Sequence, residues 1–170
     1  IANLKEAGKK FTPYAERELE VAMDAVHTIL EMGAKASREN DPELAWNVEP
    51  LEEAIDELVE NIQSRHVDRM TKGICDVFNG IQFQNIMLNL ERISDQCSDL
   101  AVYLLGRHDP EVIGNEHKYL HDLHHSNDRR YMECFQGYYD KYFGELDEIP
   151  ACETAEAGTQ LEGSLQPASV

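Results

Sequence analysis

The chain has 170 residues, 42% of them hydrophobic, and its 33 acidic side chains outnumber its 15 basic ones, giving a formal charge of −18. This length predicts one domain, and the hydrophobic content is sufficient for a buried core. The charge argues against a binder of nucleic acid or of anionic membranes, because neutralising phosphate groups requires a basic surface. It suits cation binding, or solubility alone.

The four cysteines lie far apart and form no Cys-x-x-Cys motif: Cys75, Cys97, Cys134 and Cys152. This spacing favours free thiols in a reducing cytosol. The chain begins at Ile1 without a methionine, and it contains no signal peptide or apolar run of membrane length. We therefore expect a domain that belongs to a longer protein.

Helical periodicity covers most of the chain and predicts four helices. The first is predicted over 12–37, because the hydroxyl of Thr12 can cap a helix and Pro13 suits its first position. The polar segment 37–47 contains Pro42 and is predicted as a connection.

The other three helices are predicted over 50–71, 76–105 and 115–145 from apolar residues at helical spacing. Gly73 marks the turn after the second helix, and Gly106 marks the end of the third. Short connections between long amphipathic helices make neighbours antiparallel. The predicted fold class is therefore all-α, an antiparallel up-down helical bundle made of a three-helix unit and a fourth helix.

The end of the chain differs in composition from the helices. Glycine, proline, serine, threonine and glutamate predominate there, and this composition is typical of disorder. We expect a helical bundle domain over 1–147 and a disordered C-terminal tail over 148–170.

The pattern Glu-x-x-x-Asp, which places two carboxylates four residues apart, occurs three times: Glu20/Asp24, Glu52/Asp56 and Glu91/Asp95. If the second and third helices reverse near Lys72 and Gly73, residue 54 lies level with residue 91, so the second and third pairs face each other. The first pair lies level with residue 64 of the second helix. At a rise of 1.5 Å per residue, this level is too far along the helix from Asp56 for the first pair to join the other two.

Carboxylates that converge without a partner repel one another and raise one another's pKa. A divalent or trivalent cation that prefers oxygen ligands would relieve this repulsion. The candidate metal ligands are therefore Glu52, Asp56, Glu91 and Asp95. The alternative is that all four lie on solvated faces or pair with an arginine: Arg92, Arg129 or Arg130.

Four histidines fall within nine residues of the fourth predicted helix. His117, His121 and His124 share one helical face, at a spacing competent for a metal such as zinc. No His-Glu-x-x-His motif or cysteine pair supports such a site, so a structural role is favoured.

Residues 89–104 carry the most specific pattern in the chain. Their run Leu-Glu-Arg-Ile-Ser-Asp-x-Cys-Ser-x-Leu-Ala resembles the signature helix of PhoU-like phosphate-uptake regulators, and most of all the variant fused behind bacterial sodium/phosphate cotransporters. The resemblance extends over roughly residues 10–145. The chain has Gln96 where that variant often has histidine, which weakens the case for a multinuclear cluster.

The resemblance implies a non-enzymatic regulatory domain of a sodium-dependent phosphate transporter, at the cytoplasmic face of the inner membrane. Its implied partner is the membrane domain of the transporter, with no nucleic acid, and association with a second copy of the domain stays open. PhoU proteins bind iron or zinc clusters through Glu/Asp-x-x-x-Asp motifs, so the implied cofactor is iron or zinc at the carboxylates named above.

Two rival functions stay open on the residues alone. A carboxylate-bridged metal enzyme in a four-helix bundle requires Glu-x-x-His motifs, and the chain contains none. A plain helical interaction module without metal predicts that the acidic pairs lie on different faces.

Overall fold

The computed structural model describes residues 10–125 and 128–150, and all regular secondary structure within these ranges is helical. The helices are α1 (Pro13–Glu39), α2 (Pro42–Trp46), α3 (Val48–Thr71), α4 (Val77–His108), α5 (Glu116–His124) and α6 (Arg129–Asp147). The predicted all-α fold class is confirmed.

Side-chain caps set the starts of α1, α2, α4 and α6, as the sequence predicted for the first one. The Thr12 hydroxyl accepts a hydrogen bond from the backbone N–H of Ala15, and Pro13 occupies the first helical position. The carboxylate of Asp76 begins α4 in the same way, by accepting from the N–H groups of Phe78 and Asn79. Each cap satisfies backbone donors that have no partner inside the helix.

Two predicted boundaries were wrong. The connection predicted over 37–47 contains the short helix α2, which begins where Asp41 caps it. The fourth helix predicted over 115–145 is two helices, α5 and α6. Asp128 accepts hydrogen bonds from the N–H groups of Arg130 and Tyr131 and so begins a new helix. Periodicity could not reveal this break, because both helices carry apolar residues at the same spacing.

Helices α1, α3 and α4 form the three-helix unit, and α6 packs on α3 and α1. Their inward faces supply the large side chains of the core: Ile29, Leu51, Ile55, Leu58, Ile62, Phe83, Met87, Tyr142 and Leu146. Helix α5 contributes no buried residue. Among the described residues, no helix combines the length and the hydropathy needed to cross a membrane.

A buried ion pair joins the first and third helices to the end of the last one. Glu18 is fully buried, and both of its carboxylate oxygens accept hydrogen bonds from the guanidinium of Arg69. Arg65 also donates to Glu18, at 2.8 Å, and reaches the carbonyls of Leu146 and Ile149. These contacts attach the chain after α6 to the bundle.

The packed part of the chain extends past the point where the tail was predicted to begin. Ile149 is 4% exposed and belongs to the core cluster, although the prediction placed it in the disordered segment 148–170. Residues 151–170 lie outside the described residues, and the division into a domain and a tail stays a prediction. Of the cysteines, Cys97 and Cys134 are free thiols, as predicted, and Cys152 lies outside the described residues. The Sγ atom of Cys75 lies 3.6 Å from Nε2 of His66.

We expect Glu18→Ala to lower the free energy of unfolding by about 3 kcal/mol, because it leaves the buried charge of Arg69 without its partner. Urea denaturation followed by circular dichroism measures this change. The control is Glu20→Ala in the same helix, where an exposed carboxylate lies 3.9 Å from Arg17. The control should change stability by less than about 1 kcal/mol. Equal losses in both variants would contradict a stabilising role for the buried pair.

Candidate functional site

The antiparallel register of α3 and α4 sets the candidate site. The hydroxyl of Ser98 donates to Glu49, and the side-chain amide of Gln84 donates to the carbonyl of Gln63 at 3.4 Å. Residues that lie level in two antiparallel helices have numbers with a constant sum. This sum is 147 for both contacts, and it is also 147 for Glu52 and Asp95. The predicted reversal after the second long helix therefore brings the two acidic pairs to the same level of the bundle.

Three of the four predicted ligands converge. Glu52, Asp56 and Asp95 each offer a carboxylate oxygen, and these three oxygens lie within 4.8 Å of one another. Glu52 is buried, Asp56 is half-buried and Asp95 is exposed, so the group opens towards solvent on the α4 side. The Oδ1 atom of Asp56 is buried and has no hydrogen-bond partner among the described residues.

The carboxylates raise one another's pKa, as the sequence predicted. Burial, followed by the charge of Asp56, raises the pKa of Glu52 to about 9. Burial, followed by the charges of Asp95 and Glu91, raises the pKa of Asp56 to about 7. Both shifts show that the negative charge at this level of the bundle is incompletely compensated.

The fourth predicted ligand, Glu91, lies outside this group of three. It is close enough for its charge to raise the pKa of Asp56, but it is not one of the residues whose oxygens lie within 4.8 Å. Glu20 and Asp24, the pair that the helix register excluded from the site, lie elsewhere. Asp24 pairs with Lys141 at 3.1 Å. Glu20 pairs with Arg17.

The arginines of α6 that were considered as neutralising partners have other contacts. Arg130 pairs with Glu43 at 2.7 Å and lies 4.0 Å over the ring of Trp46. Arg129 pairs with Glu133 in its own helix. Neither ion pair includes a carboxylate of the group of three.

His124 makes a contact with the acidic face of α3 that the sequence analysis did not predict. Its Nε2 lies 2.7 Å from Glu49 and its Nδ1 lies 3.4 Å from Glu53. The hydrogen bond to Glu49 is the main cause that raises the pKa of the imidazole. Of the histidine face considered above, His117 and His121 are exposed, and His121 stacks on His125 instead.

Tyr131 is the second residue that sequence reasoning missed. It is 3% exposed, and its hydroxyl is buried without a hydrogen-bond partner among the described residues. Burial, followed by the charges of Glu53, Glu49 and Glu52, raises its pKa. The sequence did contain a signal for a site larger than the four predicted ligands. One face of α3 carries four acidic residues at helical spacing: Glu49, Glu52, Glu53 and Asp56.

The fold and this site define a small all-α domain with a carboxylate cluster between two antiparallel helices. The chain belongs to the PhoU domain family, whose profile matches residues 19–104, or 86 of the 170 residues. The matched segment contains all four predicted ligands, whereas α5 and α6 follow it. No curated protein and no solved structure matches the chain.

Membership of this family associates the domain with the regulation of phosphate homeostasis. The residues present also fit the metal ion that the family resemblance implied. Three carboxylate oxygens lie close together, and a buried oxygen of Asp56 lacks a partner. A bound cation would supply the missing positive charge between α3 and α4.

Proposed function

We propose that this chain is the cytoplasmic regulatory domain of a bacterial sodium-dependent phosphate transporter, at the inner membrane. It acts by contact with the membrane domain of the transporter and not by catalysis. The single observation that carries the proposal is the PhoU signature helix: it forms the middle of α4 and contributes Asp95 to the carboxylate cluster. The helix that resembles transporter-linked PhoU domains thus contributes one of the three converging carboxylates.

The proposal includes a metal centre that holds α3 and α4 together. Glu52, Asp56 and Asp95 bind iron or zinc directly, and Glu91 contributes charge or a further ligand. The convergence of the carboxylates is the support for this centre. A plain interaction module without metal predicts acidic pairs on different faces, and this geometry disfavours it.

Sodium-dependent phosphate uptake by cells that carry the gene tests the regulatory role. We expect removal of the codons for residues 13–147 to change the uptake rate and to abolish its response to external phosphate, because the membrane domain loses its regulatory contact. The double substitution Glu52→Gln/Asp56→Asn should weaken that response while the transporter is present at unchanged abundance.

Affinity purification of the tagged protein in mild detergent provides the second measurement. A sodium/phosphate transporter should be recovered with it, either as the same polypeptide or as a bound partner. Unchanged uptake in the deletion strain, together with recovery of no transporter, would reject the proposed function. Hydrolysis of a phosphate ester that disappears on Asp95→Ala would contradict the non-enzymatic role.

A further inference from the structure

Helix α5 lies outside the segment that matches the PhoU profile, and none of its residues is buried. Its last residue, His124, nevertheless reaches α3, which lies about 75 positions earlier in the chain. The side chain of His124 is 28% exposed, and the carboxyl group that it contacts on Glu49 is 5% exposed. An imidazole from outside the family region is therefore placed against the acidic face of the bundle.

The two nitrogens of this imidazole have different surroundings. Nδ1 lies 3.4 Å from the carboxylate of Glu53, and Nε2 lies 2.7 Å from Glu49. The second oxygen of Glu49 accepts a hydrogen bond from Ser98, which orients the carboxylate. Histidine ligands of metals usually donate their other ring N–H to a carboxylate, which holds the ring in the ligating orientation. Glu53 can do this for His124.

The hydroxyl of Tyr131 is a second observation, separate from the contacts of His124, that points to a ligand at this position. It is buried, it has no hydrogen-bond partner among the described residues, and it interacts electrostatically with Glu53, Glu49 and Glu52. Its ring centroid lies 6.0 Å from that of His124. A buried hydroxyl without a partner is unfavourable, and a metal ion with its bound water would provide one.

We propose that His124, through Nε2, and Glu49 are ligands of a transition metal ion, zinc or iron(II), and extend the carboxylate centre towards α5. Glu53 and Ser98 are positioning residues for these two ligands. The metal ion takes the place of the proton between Nε2 and Glu49. This inference rests on the proposed metal centre. It adds a nitrogen ligand to that centre, and with it a preference for zinc and iron over magnesium and calcium.

The nitrogen ligand has two consequences. Imidazole favours zinc and iron over magnesium and calcium, which prefer sites made of oxygen alone. Binding also fixes α5, because a metal–ligand bond from His124 then joins this helix to α3 in addition to the contacts it already makes. Metal occupancy is thereby linked to the position of a segment that follows the PhoU region.

Titration calorimetry of the full metal-free chain with zinc alone, and separately with magnesium alone, tests the inference. We expect His124→Gln to weaken zinc binding by about tenfold or more and to leave magnesium binding unchanged. The matched control is His117→Gln, an exposed histidine of the same helix, which should change neither titration. Glu53→Gln should have a smaller effect than His124→Gln, because the amide oxygen can still accept from Nδ1–H.

Cobalt(II) spectroscopy distinguishes a ligand from a neighbouring structural residue. The visible absorption of the bound cobalt should change in His124→Gln and stay the same in His117→Gln. Zinc should also slow amide hydrogen exchange in α5 of the parent but not of the His124 variant. Zinc binding of equal strength and an identical cobalt spectrum in parent and His124→Gln would overturn this inference and leave the carboxylate centre standing. A parent chain that binds no zinc, iron or cobalt would overturn both the His124 inference and the carboxylate metal centre. The proposed regulatory role would not be decided by that result, because phosphate uptake tests it separately.

Discussion

The metal-free protein is expected to lose stability as the pH rises from 6.5 to about 9, and Glu52 is the main cause. The pKa of its carboxyl is 4.5 in an ordinary environment and about 9 in the fold. Between these values the folded state keeps a proton that the unfolded state has released. The free energy of unfolding therefore falls as the pH rises, with a limiting slope of about 1.4 kcal/mol per pH unit for one group.

Three other groups determine where the fall is seen. Asp56 adds to it up to its folded pKa of about 7. His124, whose pKa is raised, contributes stability that is present below 6.5 and lost as the pH passes its folded value. His66 acts in the opposite direction, since burial lowers its pKa to about 4, so the unfolded state binds the extra proton and stability falls below pH 6.5. Below pH 6.5 the effect of His66 on stability opposes that of Glu52 and Asp56. Above pH 6.5 the shifts of Glu52, Asp56 and His124 all make stability fall as the pH rises.

Urea denaturation in the presence of a chelator, repeated at intervals between pH 5 and 9, measures the effect. Glu52→Gln should remove most of the fall above pH 6.5, because the amide carries no charge at any of these values. Glu60→Gln is the control, an exposed acid of the same helix. A parent protein whose stability is constant between pH 6.5 and 9 would show that the cluster is not under electrostatic strain in solution.

Metal should restore the stability that the cluster loses near neutral pH. A ligand that binds only the folded state at a thousandfold excess over its dissociation constant raises the free energy of unfolding by about 4 kcal/mol. We expect zinc to produce a gain of this size in the parent chain. Asp95→Asn should abolish most of the gain, because it removes one of the three converging carboxylates.

The matched control for Asp95→Asn is Asp99→Asn, an exposed acid one turn further along α4. Elemental analysis of protein purified without a chelator gives the second readout. The parent and the control should contain iron or zinc, and the double variant Glu91→Gln/Asp95→Asn should not. Glu91→Gln alone should have the weaker effect, since Glu91 lies outside the group of three. Equal metal contents in all of these proteins would reject the metal centre and leave the carboxylates as a solvated surface.

The sequence alone was sufficient for the bundle and for the core of the candidate site. Helices α1, α3 and α4 follow from apolar periodicity, and the side chains of Thr12 and Asp76 cap the first turns of α1 and α4. The meeting of Glu52 and Asp95 follows from the short turn between α3 and α4, because a constant rise per residue on both sides of a short reversal determines which residues lie level. The same argument correctly excluded Glu20 and Asp24.

The contacts of His124 and the buried pair of Glu18 and Arg69 were decided by the tertiary structure. The connection before α5, residues 109–115, is irregular, so no constant rise per residue relates His124 to Glu49. The break between α5 and α6 depends on the cap made by Asp128, and apolar spacing does not record it. In the amino-acid sequence Glu18 occupies a helical position like that of any exposed glutamate. Only the packing of α3 and of the end of α6 around it determines that it is buried and paired.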